Sequence, residues 1–184
     1  MELEDPMAAN PNGDVNKIGV STCLLGKNVR YNSGHAKDLY IMNTLVKFFK
    51  FIPVCPETEC GLGVPRKTMH LEGNTENPHL ITTQTGIDHT LRMLSRANEK
   101  LATLEKEPLC GFIFKKNSPS CNLFRVKVYL EKGAPSHKAT GIFAKAFVER
   151  FPRIPVEEEG RLNDPGLREN FIERVFVLKR WREQ

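Results

Sequence analysis

The sequence has no apolar run near the roughly 18 residues that a membrane-spanning helix requires. Its opening, "MELEDPMAANPNGDVN", lacks the basic start and the apolar stretch of a secretory signal. It contains no internal repeat and no low-complexity tract, which sets aside repeat architectures. An even cysteine count is missing too: five thiols would leave one over from a closed disulfide framework. These absences place the protein in the cytoplasm, where thiols stay reduced and a group of cysteines points to metal or catalysis. Residues 1–16, polar and acidic, read as a disordered leader.

What is present is an ordinary globular composition: 184 residues, 40% hydrophobic and 27% charged, enough for one well-packed domain. The net charge of +5 suits an anionic partner. "KIGVS", 17–21, reads as a short strand ending at Thr22-Cys23, and "FIPV", 51–54, as a second ending at Cys55-Pro56. "GFIF", 111–114, is a third and 126–130 a fourth; 68–73 and 79–83 are shorter candidates. Apolar residues at spacings of three and four predict helices over 36–50, 86–107, 140–151 and 164–180. Asn163 or Asp164 caps the last, with Pro165 in its first turn. Strands alternating with helices predict an α/β fold, a Rossmann-like, mainly parallel sheet flanked by helices, as a single domain over 17–184. Such sheets gather ligands beyond the carboxyl ends of their strands.

Cys23 and Cys55 follow their strands directly, and Cys121 follows the third through the polar loop "KKNSPS". If those strands are parallel, three thiols from distant parts of the chain meet at one edge of the sheet. Cys110 precedes its strand and is expected at the opposite edge; Cys60 either approaches the site or packs. A single free cysteine is most often a small buried hydrophobe. Three at equivalent strand ends, each beside Ser, Thr or Pro, are harder to explain by packing. Three thiolates suit an incomplete or catalytic zinc site, or an iron-sulfur cluster with one iron open to substrate.

"VSTCLLGKNVRY", "PVCPETECGLGVPR" and "GFIFKKNSPSC" resemble the three signature segments of the thiouracil desulfurase (desulfidase) family, over about 17–129. The stretch from "TGIFAKAFVERF" to "VFVLKRW" is similar to a branch in which this domain is fused to a second one, associated with 4-thiouridine in transfer RNA. On that resemblance a further domain would follow residue 184. The resemblance implies a 4Fe-4S cluster on Cys23, Cys55 and Cys121, and release of sulfide from a thiolated uracil, as free base, nucleoside or RNA residue, without net redox change. The open iron would act as a Lewis acid on the thiocarbonyl while water attacks the carbon. One departure is Asn32-Ser33, where the family commonly has Asp-Gly, which removes a carboxylate from that position.

Glu57, two residues after Cys55, is the candidate acid-base group, with Ser118 and Ser120 placed to hydrogen-bond it or the cluster sulfurs. Their plainer roles are accepting loop amides and building the turn. Arg30, Arg66, Lys37 and Lys115 or Lys116 are candidate phosphate contacts, and Tyr31 a stacking surface for a base. His35 and His70 are candidate donors near the site. "EEEGRLNDP", 157–165, reads as a solvated turn before a helix cap, and Trp181 joins Phe171, Val175 and Leu178 on the face that docks the last helix. Two other functions fit the same residues. One is a module that holds zinc or a cluster and binds nucleic acid without catalysis; the other is a carrier that passes its cluster on.

Overall fold

The chain runs β1 (Lys17–Ser21), α1 (Leu39–Asn43), β2 (Lys50–Val54), α2 (Pro56–Glu59), β3 (Met69–Gly73), β4 (Pro78–Thr82), α3 (Thr90–Leu104), β5 (Leu109–Phe114), β6 (Val126–Tyr129), β7 (Ser136–Ala139), α4 (Ile142–Arg150), β8 (Val156–Glu158) and α5 (Pro165–Arg182). These elements come from a computed structural model that describes residues 16–184. The expected leader, apart from Asn16, lies outside the described residues.

Four strands form an all-parallel sheet in the order β2-β1-β5-β8. All six residues of β5 are buried, as expected of a strand covered on both faces. Phe112 and Phe114 turn to one side, where they pack on Phe143 and Phe147 of α4 and on the buried stripe of α3. On the other side Ile18, Val20 and Ile113 pack with Phe171 and Val175 of α5 and with Ile41 and Leu45. A Cβ on Gly111 would stand 2.8 Å from Val175, so the missing side chain lets α5 lie close to the strand. The expected α/β architecture, a parallel sheet flanked by helices in one domain, is what the chain adopts.

A second four-stranded sheet, β4-β3-β6-β7, is an addition to that expectation. Only its β3–β6 pair is parallel. It buries Leu71, Leu80, Val126 and Val128 against Met93 and Cys60. The strand expected over 126–130 belongs here rather than beside β5. Among the described residues no helix is long and apolar enough to cross a membrane.

Several local expectations are corrected. The helix predicted over 36–50 is only α1 followed by a 3-10 turn, Leu45–Lys47. Asp38 starts it by accepting from the Ile41 amide at 2.9 Å, Asn43-Thr44 interrupt it with residues of low helix propensity, and β2 takes the chain from Lys50. The predicted 86–107 helix begins at Thr90, because Gly86 turns with a φ of 67° and Ile81 bridges to Asp88. Its buried face is Met93, Ala97, Leu101 and Leu104, while Leu91 is 84% exposed. Cys110 lies inside β5, not before it, near the amino end and away from the carboxyl edge. The presumed solvated run Glu157–Glu158–Glu159 is instead buried, and its first two residues are in β8. Phe171, Val175 and Leu178 dock α5 as expected, but Trp181 is 59% exposed and sits under the Arg153 guanidinium.

Candidate active site at the carboxyl ends of the parallel strands

Each expected thiol lies beyond the carboxyl end of its strand, Cys121 at the far end of a loop. β1 runs into a 3-10 turn, Thr22–Leu25, that carries Cys23; the Cys23 carbonyl accepts from the Gly26 and Ala36 amides. β2 ends at Val54, and Cys55 caps α2, with Pro56 in the first turn. The Cys55 amide donates to Glu59 Oε1 at 3.0 Å while its carbonyl accepts from the Thr58 hydroxyl and the Glu59 amide. This reciprocal arrangement fixes the thiol and places Glu57 on the same turn.

The loop from β5 to Cys121 is held on every side. Its Ser118 hydroxyl accepts from the Ser120 and Cys121 amides, and the Asn122 side chain bonds the Asn117 amide. The first amides of α4 reach the loop carbonyls: Ile142 donates to Pro119, and Phe143 and Ala144 to Ser120. Gly141 sits so close that a Cβ there would be 2.6 Å from the Ser120 oxygen. Its φ is −60°, open to any residue, so glycine is needed for space and not for conformation.

The buried carboxylates at the end of β8 complete the clamp. Glu158 Oε1 accepts from the Leu123 and Phe124 amides at 2.7 and 3.0 Å, after Cys121. Glu159 accepts from Lys115 Nζ at 2.6 Å and from the Lys116 amide at 2.7 Å, before Cys121. Glu158 ends β8 and Glu159 follows it, so two successive carboxylates hold the two ends of one loop. Sequence reading missed both, since a run of acidic residues before a helix is also the pattern of a solvated turn. The missed signal is the valine that opens the run, which continues an apolar-to-carboxylate strand at the sheet edge. Ser21, at the end of β1, was also missed; its hydroxyl accepts from the Lys115 amide at 3.0 Å.

Cys23, Cys55 and Cys121 line one cavity of about 270 Å³ with Glu57, Ser118, Arg30, Tyr31 and Arg66. Lys115 and Lys116 also line it. Glu57 Oε1 accepts from Ser120 Oγ at 3.0 Å and lies 3.4 Å from Ser118 Oγ. Glu57 Oε2 takes the Arg66 guanidinium through Nε at 2.9 Å and through a second, shorter contact from Nη2. Arg66 Nη1 donates to the Val29 and Gly63 carbonyls. The Arg66 side chain, 8% exposed, is therefore committed to orienting the carboxylate and not extended to solvent as a phosphate contact. Ser120 is fully buried behind Glu57 and does not line the cavity.

Other expected residues lie elsewhere. His70 bonds Thr83 and Glu72 on the second sheet, His35 and Lys37 are exposed, and none of the three lines the cavity. Asn32 accepts from the Gly34 amide, a turn role that its amide oxygen fills. Cys60 packs against Leu71 and Met93, its thiol directed to the Glu57 carbonyl. Cys110 packs with Ile18 and Phe171.

Burial sets the electrostatics. It pushes the Cys23 thiol up to about 11, an effect opposed by Lys115 and Arg30 and reinforced by Cys55 and Glu159. Cys121 is raised well above the ordinary thiol range, first by burial and then by Glu57, Cys55 and Cys23. Thiolate ligands thus face a strong desolvation penalty here unless a metal takes up their charge. Among the described residues, no three His, Cys, Asp or Glu side chains converge closely enough to hold a single metal ion.

Fold and cavity define an α/β protein whose parallel strands deliver three thiols and a clamped carboxylate to one edge of the sheet. The chain belongs to the 2-thiouracil desulfurase family, whose model matches residues 18–159. It is 33% identical over 153 residues to the YbbK protein of Bacillus subtilis, covering 80% of this chain and 98% of that one. It superposes on the 4Fe-4S-dependent thiouracil desulfidase TudS with a TM-score of 0.63 and 26% identity, over 84% of this chain and 98% of TudS.

Proposed function

We propose that this protein is a desulfidase that replaces the thiocarbonyl sulfur of a thiolated uracil by oxygen, with a 4Fe-4S cluster held by Cys23, Cys55 and Cys121. The observation that carries this reading is the pairing of three strand-end thiols with the Glu57 carboxylate in one cavity. The donor set suits the group: three thiols line one cavity, and thiolates are the ligands that hold iron-sulfur clusters. Lys115 and Arg30 supply positive charge beside Cys23. A cluster bound through three cysteines supplies one iron free to act as a Lewis acid on the thiocarbonyl sulfur.

The protein's own residues then do the proton work. Glu57 takes a proton from the attacking water and returns one to the departing sulfur, so that C=S and H₂O become C=O and H₂S with no oxidant consumed. Arg66 fixes Glu57 Oε2, which leaves Oε1 to face the reaction with Ser118 at the cavity wall. Ser120, out of the cavity, positions that oxygen by donating to it. Arg30 stands over the Tyr31 ring at 5.6 Å, and together they form the exposed rim where a uracil ring would stack. Free thiouracil, thiouridine and the 4-thiouridine of transfer RNA all present that ring; the +5 charge favours a phosphate-bearing form.

After anaerobic cluster reconstitution, sulfide release is measured from 2-thiouracil and 4-thiouridine. Glu57→Gln should keep the cluster spectrum and slow turnover by about two to four orders of magnitude. Full activity in that variant would remove Glu57 from the mechanism, and a cluster-loaded protein inert on both substrates would leave a binding or carrier module.

A further inference from the structure

A second cavity, of about 660 Å³, shares no residue with the thiol cavity. Its walls include Phe124, Arg125, His137, Lys138, Glu158 and Arg161. Arg125 and Lys138 make no ion pair or side-chain hydrogen bond with any described residue. Arg125 holds a φ of 56°, the left-handed region that glycine adopts freely and a branched or long side chain does not. A backbone that favours glycine thus carries a free cation that faces the cavity.

A ring and a guanidinium line the cavity as well. Phe124 is 43% exposed, and Arg161 stacks on it at 4.8 Å while its Nε bonds Glu157 at 2.7 Å. The one carboxylate in the lining, Glu158, is turned to the Leu123 and Phe124 amides. Free cations beside an aromatic-guanidinium stack match the two halves of a nucleotide: charge for phosphate, flat surface for base.

We propose that this cavity binds a nucleotide phosphate, with Arg125 and Lys138 on the phosphate and the Phe124–Arg161 stack on the base. The ligand needs no thiolated base, so the site goes beyond the desulfidase reading and does not depend on it. The phosphate could belong to a mononucleotide or to an RNA strand, and the measurement separates the two.

Fluorescence anisotropy of labelled oligouridylate, about eight nucleotides long to match common single-strand footprints, is followed on the full chain without cluster at two salt concentrations. Uridine monophosphate serves as competitor. Arg125→Gly and Lys138→Met should each weaken binding about ten-fold and lower the slope of log affinity against log salt by about 0.7, the value for one single-strand phosphate contact. Phe124→Leu should weaken binding with the slope unchanged. Arg125→Gly relieves the left-handed residue and should leave Tm within about 2 °C, so its loss of binding is not unfolding. Displacement by uridine monophosphate supports the site with a mononucleotide as its ligand; binding that resists it supports the site with a strand. Native affinity and native salt slope in both cation variants would overturn the proposal. Because no cluster is present, the desulfidase reading can fail while this result stands.

Discussion

Two loops flank the thiol cavity, and they are built differently. The segment 115–124, which carries Ser118, Ser120 and Cys121, is gripped by α4 amides, the Asn122 side chain and two buried carboxylates. The segment 26–37, which carries Arg30 and Tyr31, is held by its own turns, Arg30 to Gly34 and Ser33 to Arg30, by Ala36 to the Cys23 carbonyl, and by Arg66 donating to the Val29 and Tyr31 carbonyls. Groups that must keep a fixed spacing sit where many buried hydrogen bonds leave them one position. Groups that meet a ligand from solvent sit on a loop that no buried carboxylate anchors, the kind of segment that opens more readily.

The largest effect tests the strand-end logic itself. Cys121→Ser should abolish both cluster and sulfide release, as should Cys23→Ser and Cys55→Ser, while Cys110→Ser does neither. Iron and acid-labile sulfide content, with absorbance near about 400 nm as for thiolate-bound clusters, report it. A cluster retained by Cys121→Ser and lost by Cys110→Ser would reverse the assignment of the two ends of β5.

Next in size is the gripped loop. In Gly141→Ala the new Cβ meets the Ser120 carbonyl and the Asn122 nitrogen at 2.6 and 3.0 Å, both backbone atoms that cannot swing away. The overpacking should destabilise by about 1–3 kcal/mol and lower Tm by roughly 2–4 °C per kcal/mol, with cluster loading falling in parallel. An unchanged Tm would show that the loop has room to move.

Glu158→Ala leaves the Leu123 and Phe124 amides without their acceptor, a loss of about 1–3 kcal/mol, whereas Glu158→Gln keeps an oxygen in place and should recover most of it. Thermal melts of the pair distinguish a lost hydrogen-bond acceptor from a lost packing volume.

The smallest stability effect belongs to the open loop. Tyr31→Ala and Arg30→Ala should change stability by no more than about 0.5 kcal/mol and instead raise KM several-fold with kcat nearly unchanged. If either unfolds the domain, the contrast between the loops is lost. If kcat falls and KM does not, the rim acts on chemistry and not on binding.

The amino-acid sequence by itself determined the parallel sheet and its thiols. Short β-rich runs that end in Cys23 and Cys55, and one that reaches Cys121 through a Ser-Pro loop, carry their meaning locally: strand period, turn residue and ligand type are all within a few positions. The same locality explains why the helices expected over 36–50 and 86–107 are shorter, because Asn43-Thr44 and Gly86 interrupt apolar patterns that would otherwise continue. Only the tertiary structure decided the rest. Glu158 and Glu159 became buried anchors because β8 adds to the sheet edge beside β5 and brings them to amides 35 and 43 residues away in sequence. Arg66 became the partner of Glu57 instead of a surface cation because the 61–66 segment folds back over α2. A charged residue has no periodic signature; whether it faces water or a partner depends on what the fold brings against it, and a buried charge persists only where such partners arrive.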